Sequence, residues 1–555
     1  MDKFTVDRNS KEWIPSGTEL DDLLKPLKVI RDPIHGDIRL TELESAVIDT
    51  REFQRLRTIQ QLGPSSLVYN GATHTRFDHS IGAVDVTQYM INKININSKQ
   101  YPDHFLPVDN YIVLLARLYA LIHDVAHIAF GHTLEDEGKL FDSQWDDNKR
   151  IDVFLGENSE IGKRIIQYAG YKTLQHLKEI LLAHSDDEIQ RLEYPIVCDI
   201  VGNTICADLL DYLTRDMYYS GLKGTYDKRF LDYLTGQKYN NKLRLVISLF
   251  KPMKDEYRRD VVSEIMHLLR LRYSLAERIY YHHTKIAASA MLISAVNIAK
   301  IKNEQWLMDD LFNFGDQELL HKLETDQSSP DEVKFIIKQY RRRSLYKPIF
   351  IASYGQVKEG DSFSLKKKEI TDELAKDPKK RYDLERKLEN GILPPGSVLI
   401  YCPPKGMGRK IAEAKVQWRG NIIPLKDVDH YGIGEETRKI MKQHEELWRL
   451  YVFVTSDCYN WPQITKVVMD FNKATGLNQE LARFDIAKNA SPPAHEEVIY
   501  RHILEYKKKN KQDVPPEIIQ SVLASANAPV PGQEMPKILN YNEFEEIVKD
   551  LIKKK

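Results

Sequence analysis

The segment LIHDVAHIAFGH concentrates side chains that bind metals and transfer protons. His123 and Asp124 are adjacent within an apolar helical pattern, and His127 follows one helical turn later on the same face as His123. Unpaired imidazole and carboxylate groups are costly to bury in such a run. A divalent cation removes that cost, because it accepts both imidazole nitrogen and carboxylate oxygen. The segment therefore indicates a metal site, although a His-Asp pair also occurs by chance in proteins that bind no metal.

A metal site needs more ligands than this segment provides. His79 in GATHTRFDHSIGA and Asp208 in CADLLDYLTRD have side chains of the right chemical type, and each lies within or at the start of a predicted helix. Spacing alone does not reveal whether they pair with His123 and Asp124. They are therefore candidates by chemical type.

The elements that must position these residues are predicted to be mostly helices. From about residue 41 to 300, apolar residues recur at intervals of three and four, which is typical of amphipathic helices. LKVIRDPIHGDIRL predicts a short hairpin, and SVLIYCPP, AEAKVQW and NIIPL predict strands. The sequence thus predicts a mainly α fold, in which a helical core is followed by a smaller α+β C-terminal lobe.

Changes in composition divide the chain into four predicted parts. They are a loosely ordered leader at 1–27, a core with a helical extension at 28–355, the α+β lobe at 356–489 and an appendage at 490–555. We expect the first and last parts to contribute little to the metal site.

Charge and cysteine content limit the classes of partner. Lysine and arginine total 80 against 81 for aspartate and glutamate, so no overall field favours nucleic acid or a membrane surface. Four cysteines without a C-x-x-C pair indicate reduced thiols, and no run of eighteen apolar residues is present. The sequence predicts a soluble cytoplasmic protein that does not insert into membranes and is not expected to bind nucleic acid.

The motifs resemble those of the HD-domain dNTP triphosphohydrolases, in the branch that includes sterile-alpha-motif and HD-domain proteins and their bacterial relatives. The similarity begins at KVIRDPIHGDIRL, passes through RFDHSIGA, LIHDVAHIAFGHTLED and DLLDYLTRD, and continues to RLRYSLAERIYYHH and RRRSLYK. No sterile-alpha-motif domain is expected before the core. The resemblance implies an HD-domain helical core and a deoxynucleoside triphosphate as substrate.

By this resemblance one divalent metal ion is held by His79, His123, Asp124 and Asp208. The family uses manganese, iron, magnesium or zinc, and mixed nitrogen and oxygen ligation is compatible with several of them. Magnesium is also expected to accompany the nucleotide. The implied reaction is attack of activated water on the α-phosphorus, with release of inorganic triphosphate.

Three residues are expected to handle protons or phosphates. His127 is predicted to protonate the leaving oxygen, because it lies one turn beyond His123. His132 is expected to contact phosphate or to act as the acid itself, with Glu135 orienting it. The alternative for His127 is a structural histidine that donates to a carbonyl group.

Recognition of the substrate is expected to involve a further set of motif residues. Two arginines match phosphate contacts, while aromatic, acidic and amide side chains match the wall around the deoxyribose. The alternatives are solvated arginines and core tyrosines at helical spacing. The predicted substrate residues are Gln61, Leu62, Arg76, Tyr212, Asp216, Arg272 and Tyr280.

The family also forms homotetramers that are activated by nucleotides, and residues of such an activator site are present. A carboxylate between basic residues is suitable for reading a guanine edge while cations hold phosphate, although DTREFQRLR is equally typical of an amphipathic helix with charge partners. The predicted activator residues are Lys28, Asp49, Gln54, Arg57, Arg229, Arg278, His282, Arg343 and Lys347.

Two departures from the family leave other functions open. Leu209 replaces the basic residue that commonly follows the last metal ligand, and Asn158 stands where many relatives carry histidine. One alternative is another HD phosphohydrolase, acting on monophosphates, cyclic dinucleotides or nucleic-acid ends. The second is a nucleotide sensor without turnover. Control of dNTP pools and antiviral defence are the roles that the implied reaction favours.

Overall fold

We analysed a computed structural model of the 555-residue chain. It describes residues 11–141, 144–251, 256–353, 362–405, 414–429, 432–458 and 461–477, together with 502–503, 505–515, 517–519, 521–522 and 541–553. Part of the predicted appendage at 490–555 therefore lies outside the described residues. The chain divides into two compact units, Met1–Arg343 with Pro403–Trp448, and Ser344–Cys402 with Arg449–Lys555.

The first unit is mostly helical, as the sequence predicts. Its helices are α1 (Gly17–Leu23), α2 (Glu42–Ile48), α3 (Arg51–Gln54), α4 (Arg76–Gln100), α5 (Asn110–Ile122), α6 (Gln144–Leu155), α7 (Glu160–Ala169), α8 (Tyr171–Leu182), α9 (Asp186–Arg191), α10 (Pro195–Val201), α11 (Ala207–Tyr219), α12 (Arg259–Leu275), α13 (His283–Leu311), α14 (Asp316–Thr325), α15 (Asp331–Arg341) and α18 (Ile433–Glu445).

Two short helical segments in this unit have the wider turn of a π-helix. They are Thr133–Glu137, which follows the HD segment, and Ala276–Tyr280, which follows α12. Such turns are frequent at functional sites, because they displace side chains from the regular helical positions. Both segments carry residues that the sequence singled out.

The centre of the first unit is formed by α4, which packs against both α5 and α11. Almost all of α5 is buried, since its sequence NYIVLLARLYALI is apolar on every face. Thr75 begins α4 through a capping box with Asp78, and Asp109 caps α5. These caps fix where the helices begin, and thus the register of the side chains that reach the centre.

The predicted N-terminal hairpin is confirmed. Strands β1 (Pro26–Asp32) and β2 (Gly36–Thr41) pair antiparallel, with Asp32 opposite Gly36 at the turn. Gly36 has a φ of 79°, a left-handed conformation that glycine adopts without strain. The hairpin brings the His35 side chain to the central helices.

A second hairpin interrupts the region that the sequence predicts as helical. Strands β3 (Leu234–Tyr239) and β4 (Lys242–Ser248) are joined by Asn240 and Asn241, both with positive φ. An Asn-Asn pair between alternating residues is a hairpin signal that the helical interpretation missed. The predicted strands near 414–424 are confirmed as β7 (Lys415–Trp418) and β8 (Asn421–Pro424), and they extend this hairpin into a four-stranded sheet of order β3-β4-β7-β8.

The second unit is the smaller α+β part. Strands β5 (Lys347–Ser353), β9 (Arg449–Val454) and β6 (Val398–Tyr401) form an antiparallel sheet in that order. Its helices are α16 (Ser362–Lys376), α17 (Pro378–Glu389), α19 (Trp461–Thr475) and α20 (Tyr541–Lys553). The predicted boundaries at 27, 355 and 489 stay predictions; in the structure, Pro403–Trp448 belongs to the first unit.

One described helix, His283–Met308, is long and apolar enough to cross a membrane by length and composition. However, 83% of its most apolar stretch is buried inside the protein, as in the core helix of a globular domain.

Candidate metal centre and substrate site

Four predicted metal ligands converge at the centre of the first unit. Donor atoms of His79, His123 and Asp124 all lie within 4.8 Å of one another. Asp208 joins them, with its Oδ1 atom 3.0 Å from His79 Nε2 and 3.8 Å from His123 Nε2. Residues from α4, from the C-terminal end of α5 and from α11 thus meet at one point, although 129 positions separate the first from the last.

The two histidines present the same ring nitrogen to this point. His79 Nδ1 lies 2.7 Å from Asp211 Oδ2, and His123 Nδ1 lies 2.8 Å from the carbonyl oxygen of Ala120. Because both acceptors lack protons, each Nδ1 atom carries a hydrogen, and each Nε2 atom is the ring nitrogen that faces the cluster. The two Nε2 atoms are 3.2 Å apart. This arrangement fits two imidazole ligands of a single cation.

Electrostatics at the cluster also favour positive charge. Burial opposes protonation of His79, but hydrogen bonds to Asp208 and Asp211 outweigh it and raise the pKa of His79 to about 10. Burial likewise opposes ionisation of Asp124, yet Arg76 and His123 hold the pKa of that carboxyl well below its usual range. Asp124 thus stays ionised although it is buried, which is the state that a carboxylate ligand of a divalent cation needs.

Sequence reasoning missed the residues that support His79. The Asp211 carboxylate is fully buried and contacts His79, His35 and Arg215. Arg215 in turn donates to Asp32 at 2.8 Å. The signal available in the sequence is the i, i+4 spacing of Asp211 and Arg215 on α11; the contacts with the hairpin residues Asp32 and His35 have no such signal.

The predicted proton-transfer residues lie beside the predicted metal ligands, and Glu135 contacts a different histidine from the one expected. His127 Nε2 is 3.3 Å from Asp124 Oδ1, and its Nδ1 is 2.8 Å from Glu135 Oε2. Glu135 therefore orients His127, whereas the sequence interpretation assigned it to His132. The Nδ1 atom of His132 lies instead 2.7 Å from Asp136 Oδ2.

This geometry separates the roles of the two histidines. Burial and the charge of Arg76 oppose protonation of His127, but Glu135 and Asp124 outweigh them and raise its pKa. The His132 side chain is 60% exposed, and its ring centroid lies 4.6 Å from that of His127. His127 is thus a largely covered imidazole that Glu135 orients, while the His132 side chain is exposed.

Arg76, a predicted phosphate contact, is turned toward the metal ligands. Its guanidinium is 1% exposed and donates to Asp124 at 2.6 Å. It is covered by Gly131, where an added Cβ atom would lie 2.3 Å from Arg76 Nη2. Arg76 therefore compensates the charge of a ligand in this structure, and its contact with phosphate stays a prediction.

Several predicted sugar residues lie along one face of α11. Asp208, Tyr212 and Asp216 follow one another at four-residue intervals, which places them on the same side of the helix. The hydroxyl of Tyr280 donates to Asp216 Oδ2 at 2.7 Å. Arg272 is close enough to lower the pKa of both Tyr212 and Tyr280, against the larger opposite effect of burial. The structure thus gathers four of the predicted substrate residues.

The remaining predicted wall residues lie in the loop before α4. The backbone N–H of Gln61 donates to the carbonyl oxygen of His74, and Leu62 is buried. Gly63 has a φ of 52°, and an added Cβ atom there would lie 2.9 Å from Thr133 Oγ1. This loop is therefore held tightly against the segment that carries His132.

Leu209, which stands where the family commonly has a basic residue, is buried in the core.

The predicted activator residues fall into separate groups. Lys28 donates to Asp49 at 3.3 Å, and Arg57 donates to Gln54 at 3.0 Å. The two pairs adjoin, because Gln54 also donates to the carbonyl oxygen of Ile48. Their side chains form a partly exposed patch, which we call the Asp49 patch.

Three of the other predicted activator residues, Arg278, His282 and Arg343, lie near the segment that carries Leu67 and Tyr69. Arg278 accepts a hydrogen bond from Tyr69 at its carbonyl oxygen, and the His282 ring lies 5.9 Å from that of Tyr69. Arg343 donates to the carbonyl oxygen of Leu67 at 3.0 Å, and thus lies near the segment that also carries Tyr69. Arg229 lies in the turn Lys228–Tyr233, and Lys347 begins β5 in the second unit.

Parts of this chain are similar to a known protein family and to several known proteins. A family model described as an HD associated region matches residues 262–474. An uncharacterized protein of Methanocaldococcus jannaschii is 30% identical over 330 residues, which cover 59% of this chain and 60% of that protein. The Dictyostelium discoideum homolog of the deoxynucleoside triphosphate triphosphohydrolase SAMHD1 is 25% identical, with 58% and 60% covered. Human SAMHD1 is 27% identical, with 48% and 44% covered. The matched part spans 60% or less of each of these three relatives.

Proposed function

This chain resembles the HD-domain dNTP triphosphohydrolases, and on that premise we propose that it hydrolyses deoxynucleoside triphosphates to a deoxynucleoside and inorganic triphosphate. The observation that carries the proposal is the face of α11. Asp216 lies eight positions after Asp208, or about 12 Å along the helix axis, and Tyr212 lies midway between them. One helix face thus links the metal-type cluster with the side chains proposed to hold the sugar. The Dictyostelium and human relatives are named as a deoxynucleoside triphosphate triphosphohydrolase or its homolog, which supports the same reaction.

The proposed metal ligands are His79, His123, Asp124 and Asp208. Two imidazole nitrogens and two carboxylates are compatible with manganese, iron, zinc or magnesium, and we propose manganese or iron. A divalent ion bound there supplies Lewis-acid polarisation of a phosphoryl oxygen and makes a bound water more acidic. Asp211 keeps the His79 ring turned so that its Nε2 atom faces this point.

Proton transfer is assigned to His127. Water attacks the α-phosphorus, its oxygen remains on the triphosphate, and the bond between phosphorus and the 5′-oxygen breaks. His127 gives a proton to the leaving 5′-oxygen, and Glu135 stabilises the protonated imidazole before the transfer. His132, which is exposed, is proposed to contact phosphate, and Arg76 to balance charge at Asp124.

Recognition of the deoxyribose is assigned to the group around Asp216. Its carboxylate is proposed to accept a hydrogen bond from the 3′-hydroxyl, and Tyr212 and Tyr280 to close the space that a 2′-hydroxyl would need. Arg272 is proposed to bind phosphate, with Gln61 and Leu62 forming the opposite wall. Close packing of the loop at Gly63 supports a wall that does not widen easily.

Regulation is proposed to involve a nucleotide bound at the Asp49 patch in a homotetramer. Asp49 offers an acceptor pair for a guanine edge, and Lys28 and Arg57 offer charge for phosphates. Control of cytoplasmic dNTP pools, or their depletion in antiviral defence, follows as a proposed role.

The experiment that tests this function identifies the products. Metal-loaded protein is incubated with each of the four dNTPs, singly and in mixtures, and with deoxynucleoside monophosphates and 5′-phosphorylated oligonucleotides as rival substrates. Deoxynucleoside and inorganic triphosphate in equal amounts are expected from dNTPs. Orthophosphate from the rival substrates instead would assign the chain to another phosphohydrolase class, and tight dNTP binding without any product would assign it to the nucleotide sensors.

A further inference from the structure

His74 makes a buried contact with the proposed sugar-binding carboxylate. Its side chain is 2% exposed, and its Nε2 atom lies 2.8 Å from Asp216 Oδ1. Because an ionised carboxylate only accepts hydrogen bonds, Nε2 carries the hydrogen. Tyr280 donates to the other oxygen, Oδ2, at 2.7 Å. Asp216 is therefore held from both sides by donors that belong to different elements.

The His74 ring is itself held in place. It stacks on Tyr219 at a centroid distance of 4.6 Å and an interplanar angle of 23°. Its carbonyl oxygen accepts the backbone N–H of Gln61, a predicted wall residue. His74 thus links the Gln61 loop to α11, and a shift of either element would turn the Asp216 carboxylate.

A purely structural role does not account for an imidazole at this place. His74 Nδ1 is buried and has no hydrogen-bond partner among the residues that the structure describes. A buried acceptor without a donor costs stability that an aromatic hydrocarbon ring would not. We therefore attribute the presence of a histidine at this position to its hydrogen bond with Asp216.

We propose that His74 is a positioning residue that aims the Asp216 carboxylate at the 3′-hydroxyl of the substrate. His74 and Tyr280 each occupy one lone-pair site on a different oxygen of the Asp216 carboxylate, which is 1% exposed, and the proposal assigns the remaining sites to the 3′-hydroxyl. The selectivity for a 3′-hydroxyl then depends on His74 as well as on Asp216. This inference rests on the proposed function, since it assigns a role within the same site.

The test compares two substrates that differ only at the 3′ position. Hydrolysis of 2′-deoxyadenosine triphosphate and of 2′,3′-dideoxyadenosine triphosphate is measured as kcat/KM for wild type, His74→Phe and His74→Gln. His74→Phe keeps the stacked ring but loses the donor, whereas the Gln amide restores an N–H near the position of Nε2. His176→Phe is the matched control, because His176 is also buried and hydrogen-bonded to a tyrosine, Tyr111.

Wild type is expected to prefer the substrate with the 3′-hydroxyl. In His74→Phe this preference falls by about tenfold or more, the size expected when a hydrogen bond to a charged group is lost. His74→Gln regains part of it, and His176→Phe leaves it unchanged. An equal loss on both substrates in His74→Phe overturns the inference, since a structural defect acts on both alike.

Failure of the proposed function gives a different pattern. If wild type releases no product from either nucleotide, the same pair is compared by binding affinity in the presence of a chelator. A preference for the 3′-hydroxyl in wild type that is lost in His74→Phe then supports the role of His74 without catalysis. Equal binding of both nucleotides by wild type overturns it.

Discussion

At the scale of single residues, the predicted metal ligands are held in place by side chains outside the ligand set. Asp211 fixes which nitrogen of His79 faces the cluster, and it simultaneously contacts His35 and Arg215. Arg215 is fully buried, so its charge is balanced only within the protein. A change at Asp211 therefore alters both metal binding and stability.

Asp211→Asn is expected to weaken metal affinity by about 10- to 100-fold, the usual effect of losing a carboxylate behind a histidine ligand. The free energy of unfolding is expected to fall by about 3 kcal/mol, because Arg215 keeps only Asp32 as a charged partner. Metal titration and chemical denaturation measure the two effects. Asp37→Asn, which removes an exposed partner of Arg31, is the control and is expected to change stability by less than about 0.5 kcal/mol. Unchanged metal affinity in Asp211→Asn would contradict the assignment.

The sequence reveals the ligands more readily than their supports. His123, Asp124 and His127 stand out because polar groups in an apolar helical run need a partner. Asp211, His35 and His74 were missed, since each acts through a contact between distant segments that no periodicity encodes. The partner of Glu135 was assigned wrongly for a related reason: a π-helical turn places it against His127 rather than His132.

At the scale of elements, the first residue of α14 connects two loops of the candidate site. Asp316 accepts hydrogen bonds from the backbone N–H groups of Gln60, at 3.0 Å, and Phe130, at 2.7 Å. One of these loops carries Gln61 and the other carries His132. Burial raises the pKa of Asp316 to about 6, in spite of those two donors.

Asp316→Ala is expected to lower kcat about tenfold, since both loops lose a fixed point near the reacting groups. It also leaves two backbone donors without their acceptor, which costs about 2 kcal/mol or more of stability. Steady-state kinetics and hydrogen exchange in residues 60–62 and 128–132 are the measurements. Asp331→Ala, at the exposed start of α15, is the matched control. Normal turnover and protected loops in Asp316→Ala would refute this role.

In the second unit, α17 covers the free edge of β6. Glu385 and Glu389 are one helical turn apart, and they accept hydrogen bonds from the backbone N–H groups of Ile400 and Val398. Burial raises the pKa of Glu385 to about 8 and that of Glu389 to about 7. Covering an edge strand in this way prevents it from pairing with another chain.

These pKa shifts predict that stability falls as pH rises. A carboxyl whose pKa is higher in the folded state binds more protons there. Its contribution to the free energy of unfolding is therefore complete below about pH 4.5 and is lost as pH rises through about 8. Glu385→Gln is neutral at every pH and still accepts from Ile400. It is expected to melt a few degrees above wild type at about pH 9 and close to wild type at about pH 5. Glu373→Gln, at an exposed position, is the control and should have the melting temperature of wild type at both pH values. If Glu385→Gln also melted with wild type at both pH values, the raised pKa of Glu385 would be contradicted.

The elements themselves were predicted unevenly from the sequence. The helices of the first unit and the N-terminal hairpin follow from apolar periodicity and turn residues. The β3–β4 hairpin was missed because its strands lie within a long, largely helical region, and the pairing of β4 with β7 joins residues about 170 positions apart. No local pattern encodes that pairing, so it was found only in the folded structure.

At the scale of the whole molecule, the proposed regulation links nucleotide binding to assembly. The Asp49 patch lies on the surface of the first unit, with Lys28 and Asp49 both more than half exposed. A nucleotide bound there would contact solvent on one side, where a second copy of the chain could cover it. We therefore expect assembly and nucleotide binding to be coupled.

Sedimentation velocity tests this coupling. Wild type is expected to shift to a larger species when dNTPs are added, and Asp49→Asn to need about tenfold more nucleotide for the same shift. Asp22→Asn removes an exposed partner of Lys25 and is expected to behave as wild type. A sedimentation coefficient that does not respond to nucleotide in wild type would exclude nucleotide-driven assembly.

The measurement that tests the central claim most directly counts metal and product in the same samples. Wild type and the double variant His123→Ala/Asp124→Ala are loaded with manganese or iron, their bound metal is quantified, and each is incubated with the four dNTPs. The account predicts about one metal ion per chain and release of inorganic triphosphate by wild type, with both lost in the double variant. Triphosphate release by a folded double variant, or by wild type stripped of metal, would contradict it.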